Sequence, residues 1–249
     1  MTAIWNAAIY NPLLNILIFF YKTIALEDLG LAIIFLTILI RLILFPIFSK
    51  SAKHQVVMQS LQPKLKKIQD EHKQDKAKQA QATMDLYKSH NINPFSGFFL
   101  ILIQLPILFA LYSIINNVLK GSQALTGIYS FIALPASINT SFLGLINLSA
   151  HSIVGVNLVI LILAAAAQYY QGKLSLPKKD AGSELSSVEK IGRRMVFFGP
   201  ILTIVIFARL PAAISLYWLV SSVFSVGQQI IVNRQLANGK LGNVRQENN

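Results

Sequence analysis

The chain has 249 residues, 54% of them hydrophobic and only 13% charged, with a mean hydropathy of +0.54. It carries no cysteine and a formal net charge of +12. These values exclude an ordinary soluble domain, disulfides, thiolate zinc sites and a cysteine-linked lipid anchor; they point to one polytopic all-α membrane domain spanning 1–249.

Residues 1–27 contain the apolar run of 12–26. A basic n-region is missing and Ala25-Leu26-Glu27 is a poor cleavage site, so the run does not read as a signal peptide. An additional span here would invert the charge pattern described below. The expected state is an amphipathic helix lying in the outer interface, with Trp5, Tyr10 and Tyr21 as anchors.

The first expected span is 29–48, LGLAIIFLTILIRLILFPIF, apolar except for Thr37 and Arg41. A charge near mid-membrane costs about 2.5–3.5 kcal/mol on insertion scales, so such a residue normally faces protein or a wet cavity. Pro46 lies close behind Arg41 and loosens the backbone hydrogen bonds there.

Residues 49–93 form the long polar segment, expected as a cytoplasmic helical hairpin. Val57, Leu61, Leu65 and Ile68 make a helical stripe, and Pro63 can open a fresh helix. A second helix over 75–89 offers Ala80, Met84 and Tyr87 on one side, with 70–75 as the turn. The pair reads equally as a spacer between two spans or as a docking arm.

The second span is expected at 94–117. Between Lys120 and Lys173 there is no Asp, Glu, Lys or Arg. Its first part, 121–152, is rich in Ser, Gly and Asn and reads as an outer loop without visible chemistry; the third span follows at 153–170. The fourth span, 195–208, covers only about 21 Å at about 1.5 Å per residue, short of the roughly 30 Å of hydrocarbon. That shortness implies local thinning of the bilayer. Leu210-Pro211 turns the chain beside Arg209, the fifth span is 212–232, and 233–249 is a tail.

The loops set the orientation. Lys50, Lys53, Lys64, Lys66, Lys67, Lys73, Lys76, Lys78 and Lys88 lie between spans one and two. Lys173, Lys178, Lys179, Lys190, Arg193 and Arg194 lie between spans three and four, and Arg234, Lys240 and Arg245 follow span five. The opposite side has Lys22, Lys120 and Arg209. The positive-inside rule therefore puts the N-terminus outside and the C-terminus in the cytoplasm of a bacterial plasma membrane. The basic runs read as topology signals attracted to anionic lipid, not as a specific nucleic-acid site.

No HExxH, GxSxG or GxxxxGK motif is present, and His54, His72, His90 and His151 do not have metal-ligand spacing. Neither enzymatic turnover nor a cofactor is expected. No Asp or Glu falls inside an expected span, which argues against a proton relay or cation site. A lone arginine without an internal counter-charge suggests that the anion comes from another molecule. Thr37 shares a helix face with Arg41. Gln104, Gln168, Tyr217 and Trp218 place further polar groups in the spans. Together they line a wet pocket, or they make ordinary inter-helix hydrogen bonds worth about 0.6 kcal/mol each.

Several short motifs resemble the YidC/Oxa1/Alb3 membrane-insertase family: RLILFPIF at 41–48, Leu61-Gln62-Pro63-Lys64, Leu86-Tyr87-Lys88 and Asn93-Pro94-Phe95. Ile103-Gln104-Leu105-Pro106-Ile107, Ala110-Leu111-Tyr112, Leu210-Pro211, Leu216-Tyr217-Trp218, Gln228-Gln229 and Asn233-Arg234 continue the pattern in family order. The size resembles the short bacterial form. The resemblance implies five spans, an outside N-terminus and a groove open to cytoplasm and lipid that receives polar parts of nascent membrane proteins. It assigns the groove arginine to Arg41 and places Thr37, Tyr217 and Trp218 on the substrate path, with Gln168 as a polar groove residue. Ribosome and Sec translocon become candidate partners. Two departures stand out: Pro211-Ala212-Ala213 where the family usually has Pro-Ser-Gly, and a short tail with three basic residues, which weakens the case for ribosome binding. A small-solute channel or transporter, and a pure assembly chaperone, are the rival readings.

Overall fold

The computed structural model describes residues 3–91, 93, 96–176 and 187–237. The chain opens with α1 (Ala3–Trp5), a π-helical turn (Asn6–Tyr10) and α2 (Asn11–Thr23). They run on as one 21-residue helix. Pro12, which has no N–H to donate, falls where the π turn passes into α2.

Helix α3 (Leu29–Ile43) starts at Asp28, whose carboxylate accepts from the Leu31 N–H at 2.9 Å. The expected span 29–48 is not one helix. It stops at Ile43, and α4 (Phe45–Ser60) leaves at a bend of 62°. Pro46 in the first turn of α4 explains the break, because its ring and missing N–H suit a helix start and not a helix interior. Arg41 thus sits in the last turn of α3.

The polar segment then forms α5 (Gln62–Glu71), opened by Pro63, and α6 (Lys76–Ser89), capped by Asp75 accepting from the Lys78 N–H at 3.0 Å. Leu61 and Leu65 are buried as the stripe predicts. The side assigned to α6 needs correction: Ala80 and Met84 are exposed. Gln79, whose Nε2 donates to the Gln69 carbonyl at 3.3 Å, turns toward α5 instead. His90 bonds within the hairpin: its Nδ1 lies 2.9 Å from the Leu86 carbonyl and its Nε2 3.3 Å from Lys64 Nζ.

Helix α7 (Ser96–Leu119) carries Pro106 in its interior. A short 3-10 turn (Ser122–Ala124) and a two-stranded antiparallel ribbon, β1 (Ser141–Phe142) with β2 (Ile146–Asn147), occupy the loop expected to be irregular. Then come α8 (Asn157–Leu174), α9 (Ser187–Phe207) with Pro200 inside, and α10 (Ala212–Ala237). Gly172 and Gly199 let α8 and α9 approach closely: a Cβ on them would lie 3.0 Å from Val196 and 3.1 Å from Gln168 respectively.

Among the described residues, 3–23, Leu102–Leu119 and Ala212–Gln235 are long and apolar enough to cross a membrane, and the bent pair α3–α4 makes a fourth if taken as one broken span. Val196–Phe207 is apolar but short. The five expected spans differ from this set in two places. The N-terminal helix, read as interfacial, is long enough to cross. The expected span 153–170 becomes helical only at Asn157, and its last turns carry Gln168, Tyr169, Tyr170, Gln171 and Lys173.

Tyr10 and Tyr21 are not interfacial anchors with free hydroxyls. Both are buried. The Tyr10 hydroxyl accepts from Asn117 Nδ2 at 2.9 Å, and that of Tyr21 accepts from the Asn139 N–H at 2.8 Å. Between them, Asn15 donates to the Gly127 carbonyl at 2.8 Å and accepts from the Tyr129 N–H at 2.7 Å. Tyr10 thus ties the helix to the end of α7, and Asn15 and Tyr21 tie it to the segment that follows.

That same segment fastens the starts of α3 and α10. Asp28 accepts from the Leu143 N–H at 2.6 Å. Phe142 packs so closely on Gly30 that a Cβ there would lie 2.2 Å from its Cδ2. The Ala212 and Ala213 N–H groups donate to the carbonyls of Ala150 (2.9 Å) and Leu148 (3.2 Å), and Ser152 bonds Leu210 and Ser215. The apolar core lies between these ends, built from α2, α3, α7 and the first half of α10.

Candidate functional site: a buried arginine between α3 and α10

Arg41 is 8% exposed. Its Nε donates to Ser221 Oγ at 2.8 Å, and Nη2 contacts the same hydroxyl. The guanidinium carbon lies 4.6 Å from the centre of the Phe48 ring, a cation–π geometry. Nη1 is buried and has no hydrogen-bond partner. The ion pairs of the polar helices, Lys73–Asp70 and Lys78–Asp75, are both solvent-exposed, and neither reaches this charge. The bend at Leu44 creates the arrangement: it swings the first turn of α4 back so that Phe48 covers a residue seven positions earlier.

Thr37 is fully buried one turn before Arg41, but its hydroxyl donates to the Ile33 carbonyl of its own helix at 2.6 Å. Gln104 on α7 donates from Nε2 to the Tyr217 hydroxyl. Tyr217 precedes Ser221 by one turn of α10, so α3, α7 and α10 contribute Arg41, Gln104, Tyr217 and Ser221 to one polar cluster. Gln168 is elsewhere: its Oε1 accepts from Thr203 Oγ1 of α9 at 2.6 Å. Trp218 packs edge-on against Phe207 of α9, with ring centres 5.2 Å apart, and its indole N–H is buried without a partner. The six sequence-derived residues thus divide. Arg41, Gln104 and Tyr217 converge, Thr37 flanks them, and Gln168 and Trp218 face α9.

The sequence reading missed the polar stripe that holds the arginine. Ser221, Ser222, Ser225, Gln228 and Gln229 are all buried on α10. Gln228 Nε2 donates to the Phe45 carbonyl (3.0 Å) and to Ser49 Oγ (2.9 Å), clamping the start of α4. Phe45 adds an edge-on contact with Phe224. The signal was present as Tyr217, Ser221, Ser225 and Gln228, steps of four, four and three inside an apolar helix.

A family model described as the 60Kd inner membrane protein matches residues 19–239. The "Membrane protein insertase YidC" of Clostridium tetani is 36% identical over 205 residues, covering 82% of this chain and 81% of that protein. The chain belongs to the YidC/Oxa1 family. A YidC of Geotalea daltonii is 30% identical over 232 residues, or 93% of this chain and 38% of the relative. The chain therefore spans most of the clostridial family member but under two fifths of the longer one. A solved family structure, "Active YidC insertase crystal structure with the first transmembrane domain resolved", superposes with a TM-score of 0.61 at 24% identity, over 91% of this chain and 46% of that one. That likeness supports the fold, an all-α multi-pass membrane protein.

Proposed function

We propose that the chain inserts nascent membrane proteins into the bilayer, with Arg41 as the internal cation that receives an acidic residue of the client's polar tail. The observation that carries this reading is the guanidinium itself. It is nearly enclosed, held by one serine hydroxyl and one aromatic ring, and retains an unpartnered Nη1. A buried charge costs several kcal/mol unless paired, so a passing carboxylate would gain what the protein itself does not supply. No bond is made or broken. The polar stripe of α10 shortens the dry distance, the short apolar stretch of α9 thins the bilayer beside it, and the client's own apolar helix then leaves into lipid, driven by burial at about 25 cal/mol per Å².

In this reading Phe48 is a cover over Arg41 that a client displaces. The starts of α3 and α10 and the segment 121–152 face outward, α4 to α6 and the C-terminal tail face the cytoplasm, and the N-terminal helix lies in the outer interface. Its bonds from Tyr10, Asn15 and Tyr21 to Asn117, Gly127, Tyr129 and Asn139 support that placement, because a helix crossing the membrane would carry one end away from them. Ribosome, Sec translocon and anionic lipids are the partners that the basic helices and the tail would meet.

Insertion into inverted vesicles tests the proposal. Arg41→Ala should lose about tenfold or more for clients with acidic tails, the equivalent of about 1.4 kcal/mol, and Arg41→Lys should retain most activity. Normal insertion of such clients by the alanine variant would refute the assignment.

A further inference from the structure

The segment 121–152 contains no Asp, Glu, Lys or Arg, a composition foreign to a long water-exposed loop. Its ribbon ends in a tight turn: Leu143 and Gly144 both have positive φ (51° and 69°), and the Leu145 N–H closes on the Phe142 carbonyl at 3.0 Å. The turn presents Leu143 and Leu145 outward, 60% and 79% exposed. Ile153, Val154 and Val156, just before α8, are more than half exposed as well. Asn157 ties the two groups together, donating to the carbonyls of Asn147 (2.9 Å) and His151 (3.4 Å). The exposed apolar surface then continues without a charge onto Val159, Ile162 and Leu163 of α8.

We infer that the Leu143–Leu145 turn and residues 153–156 form a membrane-dipping tip that seats in the acyl region of the adjacent outer leaflet and anchors the outer segment. Continuity with the lipid-facing side of α8 argues for lipid over a protein partner. Part of its backbone is prepared for it: the Leu143 N–H is taken by Asp28, that of Leu145 by Phe142 and that of Val154 by His151 (3.1 Å). Each such pairing lowers the cost of carrying irregular backbone into an apolar phase. The tip also accounts for a mismatch between sequence and structure. Residues 153–156 are apolar enough to read as the start of a span, yet helix begins only at Asn157, because on this reading they enter lipid as part of the tip.

The inference rests on α8 lying against lipid, and the test separates the two. The cysteine-free chain allows single spin labels at 143, 145 and 154 in the full protein reconstituted into phosphatidylcholine and phosphatidylglycerol vesicles. Ile162 on α8 provides the lipid reference and Lys78 on α6 the water reference. The expected result is high oxygen and low nickel-chelate accessibility at all three tip positions, matching 162. Water-like accessibility at the tip with a lipid-like 162 overturns the inference and leaves α8 in the membrane. A water-like label at 162 overturns both. Spin–spin broadening at the tip, the sign of a second copy covering it, also overturns the inference.

Discussion

The two ends of α3 are built on opposite principles. Where α3 begins, polar groups pair with one another: Asp28 caps the helix and holds the Leu143 N–H, Tyr21 takes the Asn139 N–H, and Ser152 joins Leu210 to Ser215. Where α3 ends, a guanidinium nitrogen is buried with no partner, and its other donors share one serine hydroxyl. Pairing gives the first end rigidity. Incomplete satisfaction at the second leaves binding energy for a molecule that is not part of the chain. The difference separates a scaffold from a site, and it gives mutations at the two ends different signatures.

The largest effect should come from the scaffold. Gly30→Val would drive a branched side chain into the Phe142 ring. Overpacking of this kind costs about 1–3 kcal/mol or more. Thermal unfolding in detergent should show the loss, and adding Phe142→Ala should recover much of it. If the pair is merely additive, the close approach is not what fixes the residue at 30.

Ser221→Ala comes next and probes the other end. It strips Arg41 of its donated hydrogen bonds. Leaving buried donors unmet costs about 1–3 kcal/mol. The protein should lose stability and still insert clients with acidic tails, since the cation remains and is less tied down. Loss of insertion as severe as in Arg41→Ala would mean that the serine, not the charge, receives the client.

Phe48→Leu should have a smaller effect on folding, removing a cation–π contact worth about 0.5–2 kcal/mol. Its sharper consequence is access. With Arg41→Cys as the sole thiol of the chain, Phe48→Ala should speed alkylation by a membrane-impermeant maleimide severalfold in inverted vesicles. An unchanged rate would show that Phe48 does not cover the site.

Much of this was legible in the sequence because composition and periodicity report on burial one element at a time. The helices, the turn at Leu210-Pro211 and the opening of α5 at Pro63 follow from local rules. So does the chemical oddity of Arg41. The break at Leu44 is half legible: a proline at 46 signals a loosened helix, but its effect is to end α3 and redirect α4 by 62°. What failed were statements that need partners. Tyr10 and Tyr21 look like interfacial aromatics until Asn117 and Asn139 arrive from about a hundred residues away. Nor does the sequence show that Gln168 is paired with Thr203 on α9. The serines of α10 carry no such signal one by one, because a hydroxyl among apolar residues is common and acquires meaning only when a cation is packed against it.

The smallest expected effect is also the most discriminating for the polar cluster. Gln104 and Tyr217 join α7 to α10 beside the arginine. Two accounts compete: the pair is an ordinary inter-helix bond, or it maintains the polar surface that a client crosses. Tyr217→Phe removes the acceptor and keeps the ring, at a cost near the roughly 0.6 kcal/mol typical of such bonds in membranes. Under the first account, unfolding shifts slightly and insertion is unchanged for every client. Under the second, stability shifts just as little while clients with polar tails slow down, because Gln104 then stands unpaired in a narrowed polar path. The second outcome is expected here, since Tyr217 and Ser221 occupy successive turns of the same stripe and Ser221 holds the charge. Equal insertion of polar-tailed and apolar-tailed clients by Tyr217→Phe would confine the working site to Arg41 and the two residues in direct contact with it, Ser221 and Phe48.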